Sequence, residues 1–275
     1  MKMKEQDGWK LACLGAGKMG EALVRGLLAS GVFAPGQVSV SDPDPSRREI
    51  LERECRVRAH TDNREAVREA DVVLLAVKPQ EMAAVLEGIA GSLPRHALVI
   101  SIAAGVTTEW IQARLGAGAK VVRVMPNAAA LVGKSTTGIY FCPAVVEAER
   151  RIAQKIFDTI GISVVVAKED HLNVVTGLSG SGPAYVFLFL EALADAGVYL
   201  GLPRDVSSRL ALHTVLGSAH MAAESGKHFV SLKETITSPG GTTMSGLKVM
   251  EEGAFRALVM RAVEAASKRS AELAR

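Results

Sequence analysis

No charge of one sign dominates this 275-residue chain: 32 lysines and arginines face 29 acids, a net +3. That excess is too small and too scattered to be the footprint of a nucleic-acid binder. Cysteine is scarce. Cys13, Cys55 and Cys142 stand far apart, odd in number and without metal-ligand spacing, and read as free thiols of a reducing, cytoplasmic compartment. No H-E-x-x-H or C-x-x-C occurs, and His213 and His220 lie too far apart to act as ligands on successive turns, so no metal is expected. Long hydrophobic runs are also missing. The most apolar segment, Ala184 to Leu190, gives way to Glu191 and Asp195, well short of the ~20 residues a bilayer span needs. Met1 to Lys10 carries three lysines and two acids and no apolar stretch, unlike a secretory signal. What is present is ordinary globular material, 48% apolar and 22% charged. Its length suggests two domains of ~100–170 residues each.

The first 166 residues alternate short β-branched runs with helix-length segments. The runs are Leu11–Leu14, Val38–Val40, Val72–Val77, Leu98–Ile102, Val121–Met125, Gly138–Phe141 and Val164–Val166. Most are continuously apolar, as strands buried on both faces of a parallel sheet are. Pro79 is expected to open one helix, and Thr107-Thr108 before Glu109 another. Between Ala144 and Ile160, Ile152, Ile156 and Ile160 recur every fourth residue with Phe157 beside them, so that helix turns one side to a core. After Val166 no strand-like run remains, and long helical segments follow, broken by glycine and proline. The last helix is expected to bury Phe255, Leu258, Val259, Ala262 and Ala266. The pattern predicts an α/β, doubly wound N-terminal domain over 1–167 and an all-α C-terminal domain over 168–275.

Gly15-Ala16-Gly17-Lys18-Met19-Gly20 follows the first strand and opens a helix. Such a fingerprint needs one glycine for a tight turn, one for backbone approach to a pyrophosphate and one for close helix–strand packing. The free amides and positive dipole end of the helix then hold the phosphates. This placement points to a Rossmann-type dinucleotide site. At the second strand's tip, Asp42 argues for NAD, because an acid repels a 2′-phosphate, while Ser41, Arg47 and Arg48 argue for NADP. NADPH and NADH both stay open, and removing Asp42 is expected to favour NADPH. Ala76-Val77-Lys78-Pro79 and Ala103-Ala104 end two further strands and should line the same crevice, with Lys78 in reach of a phosphate or ribose oxygen.

Further on, Ser238-Pro239-Gly240-Gly241-Thr242-Thr243 feeds a helix N-terminus. The glycines expose consecutive amides as an anion nest suited to a carboxylate, and the threonine hydroxyls can cap the helix or meet a ligand. Together with Thr176-Gly177-Leu178-Ser179-Gly180-Ser181-Gly182-Pro183-Ala184-Tyr185, Ala76–Gln80 and Arg123-Val124-Met125-Pro126-Asn127, this loop resembles the signatures of Δ1-pyrroline-5-carboxylate reductases. The resemblance runs from Trp9 over essentially the whole chain. It implies reduction of pyrroline-5-carboxylate, a cyclic imine, to proline by NAD(P)H. It also implies that Thr243 hydrogen-bonds the ring nitrogen while Gly241 and the amides of Thr242 and Thr243 hold the carboxylate. Glu169 matches a substrate-side acid, Asn63 a position near the adenosine and Ser41 one near the 2′ group. Two departures stand out: Asp42 where NADP-preferring relatives often carry a basic residue, and Thr235 where an amide is expected near the nicotinamide.

Small residues from Gly180 to Ala184 and the apolar content of the tail point to a homodimer, or a larger homo-oligomer, built through the helical domain. Glu191 and Asp195, four apart, read as a polar helix stripe or a subunit contact more readily than as paired catalytic carboxylates. A β-hydroxyacid dehydrogenase, the nearest rival, would carry a lysine and an asparagine where Val186 and Leu190 stand. A non-catalytic dinucleotide sensor would have no use for Thr242-Thr243 after two glycines.

Overall fold

A computed structural model describes residues 8–273. The opening segment, expected to be no secretory signal, lies through residue 7 outside the described residues. The N-terminal part holds strands β1 (Leu11–Leu14), β2 (Val38–Ser41), β3 (Arg58–His60), β4 (Val72–Leu75), β5 (Leu98–Ser101), β6 (Lys120–Met125), β7 (Ser135–Phe141) and β8 (Gly161–Val165). Helices α1 (Lys18–Ala29), α2 (Pro45–Cys55), α3 (Asn63–Val67), α4 (Met82–Ile89), α5 (Thr108–Leu115) and α6 (Glu147–Asp158) connect them. Then come α7 (His171–Val175), a π-helical turn Thr176–Gly180, α8 (Gly182–Tyr199), α9 (Arg204–Ser225), α10 (Phe229–Thr235), α11 (Thr242–Glu252) and α12 (Phe255–Glu272).

The sheet order is β3-β2-β1-β4-β5-β6-β7-β8. Every neighbouring pair is parallel except β6 with β7, so the last two strands run against the rest. The strand direction reverses through the short helical loop Ala128–Val132. Strands β1, β4 and β5 are buried at every residue, which is why they read as unbroken apolar runs. Their core continues into Leu23, Val24 and Leu27 of α1 and into Ile152, Ile156 and Phe157 of α6. Strand β3 was not expected. It is a three-residue edge strand holding an arginine and a histidine, and it carries no hydrophobic signal. Pro79 does not open a helix directly: a turn closed by Glu81 N–H on the Lys78 carbonyl (3.0 Å) precedes α4. Thr107 caps α5 as expected, its hydroxyl accepting from Trp110 N–H at 3.2 Å.

Packing divides the chain into one unit that runs to Ser181 and takes up the chain again from Ala265, and a second of Gly182–Glu264. The stretch just after Lys168 stays with the first unit because α7 lies on the sheet: a Cβ at Gly138 would fall 2.7 Å from Val175 Cγ1. In the second unit α8 and α9 pair closely, with Ser207 Oγ donating to the Ala194 carbonyl at 2.7 Å. Much of its apolar surface faces outward, including Phe187 (67% exposed) and Leu188 (66%). The expectation that α12 buries Phe255, Leu258 and Val259 fails for the single chain, in which all three are exposed. Within one copy α8 covers part of that stripe, with the Phe189 and Phe255 rings 6.2 Å apart and Ala262 and Ala266 half-buried.

Candidate active site

The order β3-β2-β1-β4-β5 sets five parallel strand tips side by side, and the segments that follow them carry the residues singled out for the cofactor. Gly15 sits at φ +99°, and a Cβ there would lie 2.6 Å from the Ala76 carbonyl oxygen. The turn therefore needs glycine both for its backbone and for the contact between neighbouring tips. At Gly20 a Cβ would fall 2.1 Å from the Gly15 oxygen, so α1 packs onto its own loop. Gly17 has nothing within 4 Å of that position. No protein contact demands glycine at 17; the space beside it is open to a ligand.

The first i→i−4 bond of α1 runs from Glu21 N–H to the Gly17 carbonyl at 2.8 Å, so the amides of Lys18, Met19 and Gly20 lie in the first turn, ahead of the helix's own bonding. The Ala16 amide points elsewhere. It donates to Asp42 Oδ2 at 2.7 Å, and the other oxygen of Asp42 accepts from Asp44 N–H at 2.9 Å. Ser41 is buried beside it, and its hydroxyl has no hydrogen-bond partner among the described residues. Arg48 donates to the carbonyls of Asp42 and Pro43, whereas Arg47 reaches over the glycine loop to the Ala16 oxygen at 3.4 Å. Ala76, Val77 and Pro79 are half-buried, Lys78 and Ala104 exposed and Ala103 buried, while Asn63 starts α3 half-buried. Beneath the loop, Cys13 is fully enclosed, and burial first, then the charge of Asp42, pushes its thiol up to about 12.

Glu169 does not stand as a free acid. Its Oε1 accepts from Thr108 N–H at 2.8 Å and from Arg123 Nη1 at 3.2 Å, and its Oε2 accepts from Thr108 Oγ1 at 2.6 Å. The carboxylate thus caps the positive end of α5 and neutralises an arginine that is only 4% exposed. In this structure both oxygens of the Glu169 carboxylate are engaged in this clamp. Tyr140, paired with Arg123 across β6 and β7, has its phenol raised by burial first and by the Glu169 charge second. The pairing of Thr108 and Arg123 with Glu169 is not legible in the sequence, because the first reads as a helix start and the second as one charge in an apolar run.

In the second unit, Gly240 adopts φ +67° and Gly241 is the N-cap of α11. A Cβ on Gly241 would lie 2.3 Å from Ser238 Oγ, so the turn closes on itself, held by Gly241 N–H on the Ser238 carbonyl at 3.0 Å. The amides of Thr242 and Thr243 follow in the first turn of α11, ahead of Ser245 N–H on the Gly241 carbonyl (3.3 Å). Thr242 is exposed, Thr243 half-buried, and neither hydroxyl has a protein partner among the described residues. Asp195 is ion-paired with Arg204, and Glu191 is exposed. Among the described residues no group of three or more His, Cys, Asp or Glu is placed to hold a metal ion, and no helix is long and apolar enough to cross a membrane.

Comparison with known proteins accords with this arrangement. Residues 169–273 match the family model described as pyrroline-5-carboxylate reductase dimerisation, and residues 10–105 match one described as NADP oxidoreductase coenzyme F420-dependent. The pyrroline-5-carboxylate reductase of Synechocystis is 44% identical over 264 residues, 96% of this chain and 98% of that protein. The solved structure of a pyrroline-5-carboxylate reductase from Coxiella burnetii superposes with a TM-score of 0.94 at 38% identity, covering 97% of this chain and 99% of the other. A Plasmodium falciparum pyrroline carboxylate reductase, solved with NADP bound, gives 0.85 at 33% identity over 98% of this chain and all of its own. Matching relatives of that name at 38–44% identity over nearly its whole length, the chain belongs to the pyrroline-5-carboxylate reductase family.

Proposed function

We infer that this chain reduces Δ1-pyrroline-5-carboxylate to L-proline, the last step of proline biosynthesis, at the expense of NAD(P)H. The observation that carries the reading is the near full-length identity with curated reductases of that name. The geometry supplies what the reaction asks for. Bound in the crevice, a reduced nicotinamide supplies hydride to the carbon of the C=N bond, and nitrogen ends protonated. The amides of Lys18, Met19 and Gly20 and the open face of Gly17 suit its pyrophosphate, and the unpartnered hydroxyl of Ser41 together with Asn63 suits the adenosine end. Ala76 to Pro79 and Ala103-Ala104 provide small side chains at the next two strand tips.

On the substrate side, the amides of Thr242 and Thr243 at the positive end of α11 hold the carboxylate, and the Thr243 hydroxyl hydrogen-bonds the ring nitrogen. A protonated imine is already electrophilic, so orientation and charge complementarity carry most of the acceleration, and no buried acid is required. Residues 168–275 act as the helical substrate-binding and dimerisation part. Two copies pair through it, with larger homo-oligomers open to the same surface, and the outward apolar side chains of α8, α9 and α12 support this. A reducing, cytoplasmic setting is supported by three buried, unpaired cysteines.

The direct test follows loss of reduced-nicotinamide absorbance with pyrroline-5-carboxylate, with a hydroxy acid and oxidised cofactor as contrast. Thr243→Val should lower kcat/KM on the order of 10–100-fold, about 1.4–2.7 kcal/mol, by removing one oriented hydroxyl. Turnover at the parent rate would remove Thr243 from the chemistry.

A further inference from the structure

An acid at the tip of the second strand is ordinarily taken as a selector, accepting the ribose hydroxyls of NAD and repelling the 2′-phosphate of NADP. Asp42 stands at that place, but its carboxylate is otherwise engaged. Oδ2 accepts the Ala16 amide at 2.7 Å in a buried bond, and Oδ1 accepts the Asp44 amide at 2.9 Å. The residue is only 9% exposed. Next to it, Gly15 N–H donates to the Ser41 carbonyl at 2.8 Å, so two consecutive amides of the glycine loop are tied to the end of β2.

We propose that Asp42 is a positioning residue, a clasp that holds the phosphate-binding loop against β2, and that it does not select between the two nicotinamide cofactors. Its hydrogen bond turns the Ala16 amide away from the crevice and leaves the amides of Lys18, Met19 and Gly20 as the set that faces a pyrophosphate. A carboxylate bonded to two backbone amides is also partly neutralised toward an incoming phosphate. The guanidinium of Arg47, 3.4 Å from the Ala16 oxygen, adds a positive charge over the same loop, and Arg48 sits on the carbonyls of residues 42 and 43. The strand tip is therefore balanced in charge, with Asp42 and Asp44 against Arg47 and Arg48, and presents no net repulsion to a 2′-phosphate. This replaces the expectation that removing Asp42 favours NADPH.

The inference rests on the reductase reading above, and the experiment separates the two. Steady-state constants for NADPH and NADH are measured on the full-length wild type, Asp42→Asn and Asp42→Ala, with thermal melts as a check on folding. The asparagine variant decides, because it removes the charge but keeps an oxygen that can accept from Ala16 N–H. The clasp predicts that Asp42→Asn changes the ratio of the two kcat/KM values by less than about 3-fold and leaves each KM near the parent. It predicts that Asp42→Ala raises both cofactor KM values by a common factor on the order of 10, with kcat within about 2-fold. A selector predicts instead that asparagine and alanine alike move the ratio toward NADPH by about 10-fold or more, and that result overturns the proposal. If alanine fails to fold, the asparagine ratio still distinguishes clasp from selector. A wild type that turns over with neither cofactor defeats the functional reading, whereas turnover with a shifted asparagine ratio defeats the clasp alone.

Discussion

Replacing Glu169 by alanine removes three hydrogen bonds at once and leaves Arg123 charged, buried and without its acid. Only 5% of the Arg123 side chain and 19% of the Glu169 side chain meet solvent, so water can compensate little. Breaking one side of a buried pair costs about 3–5 kcal/mol, and the partial exposure of Glu169 places this case near about 3. For a chain of this size each kcal/mol moves the melting midpoint by about 2–4 °C, so Glu169→Ala should lower it by about 6–12 °C. Arg123→Met leaves Glu169 with both donors of Thr108 and should cost less, about 1.5–3 kcal/mol. The double variant Arg123→Met/Glu169→Ala should fall short of the summed single losses by about 1 kcal/mol or more, because the two residues share one interaction. Calorimetry on the full chain, run beside kinetics at a temperature well below every midpoint, gives both readouts. A midpoint within about 2 °C of the parent, combined with a large loss of kcat, would mean that Glu169 serves the substrate and that the clamp is wrong.

Three further expectations follow from other sites. Gly17→Ala should fold with unchanged or slightly raised stability, since a Cβ meets nothing within 4 Å at an ordinary helical-entry φ of −65°, yet its cofactor KM should rise about 10-fold or more; an unchanged KM would place the pyrophosphate elsewhere. The Cys13 thiol, held near 12 against an ordinary 9.0, keeps its proton in the folded chain while the unfolded chain loses it. Its contribution is thus complete below pH 9 and declines by about 1.4 kcal/mol per unit above that, a slope that denaturant titrations at pH 8 to 10.5 should find flattened in Cys13→Ala. Leu188→Glu, on the outward face of α8, should shift the sedimentation profile toward single chains, and an unaltered profile would take that face out of the contact.

The parts of the molecule that were legible in the sequence are those whose signal is hydrophobic and local. Runs such as Leu11–Leu14 and Leu98–Ser101 betray themselves because both faces of the strand are covered, and Ile152, Ile156 and Phe157 because they share one side of a helix. Arg58–His60 was hidden because an edge strand needs only backbone pairing. The reversal of β7 was hidden because apolar periodicity carries no direction. At the site, glycine spacing was informative, since Gly15 and Gly20 are fixed by contacts with backbone a few residues or one strand away. Charged residues were not. Ala16 is 26 residues from Asp42, and Arg123 and Thr108 are 46 and 61 residues from Glu169, and a carboxylate's identity says nothing about which amide or cation reaches it first.

The outward side chains of α8, α9 and α12 also bear on how the protein behaves at the bench. Phe187, Leu188, Leu210 and Leu258 are exposed in one copy, and in the pairing proposed above they lose water when a second copy arrives, so the free energy of that burial enters with the logarithm of protein concentration. Specific activity should decline on dilution into the nanomolar range, and the denaturation temperature should climb as the sample is concentrated.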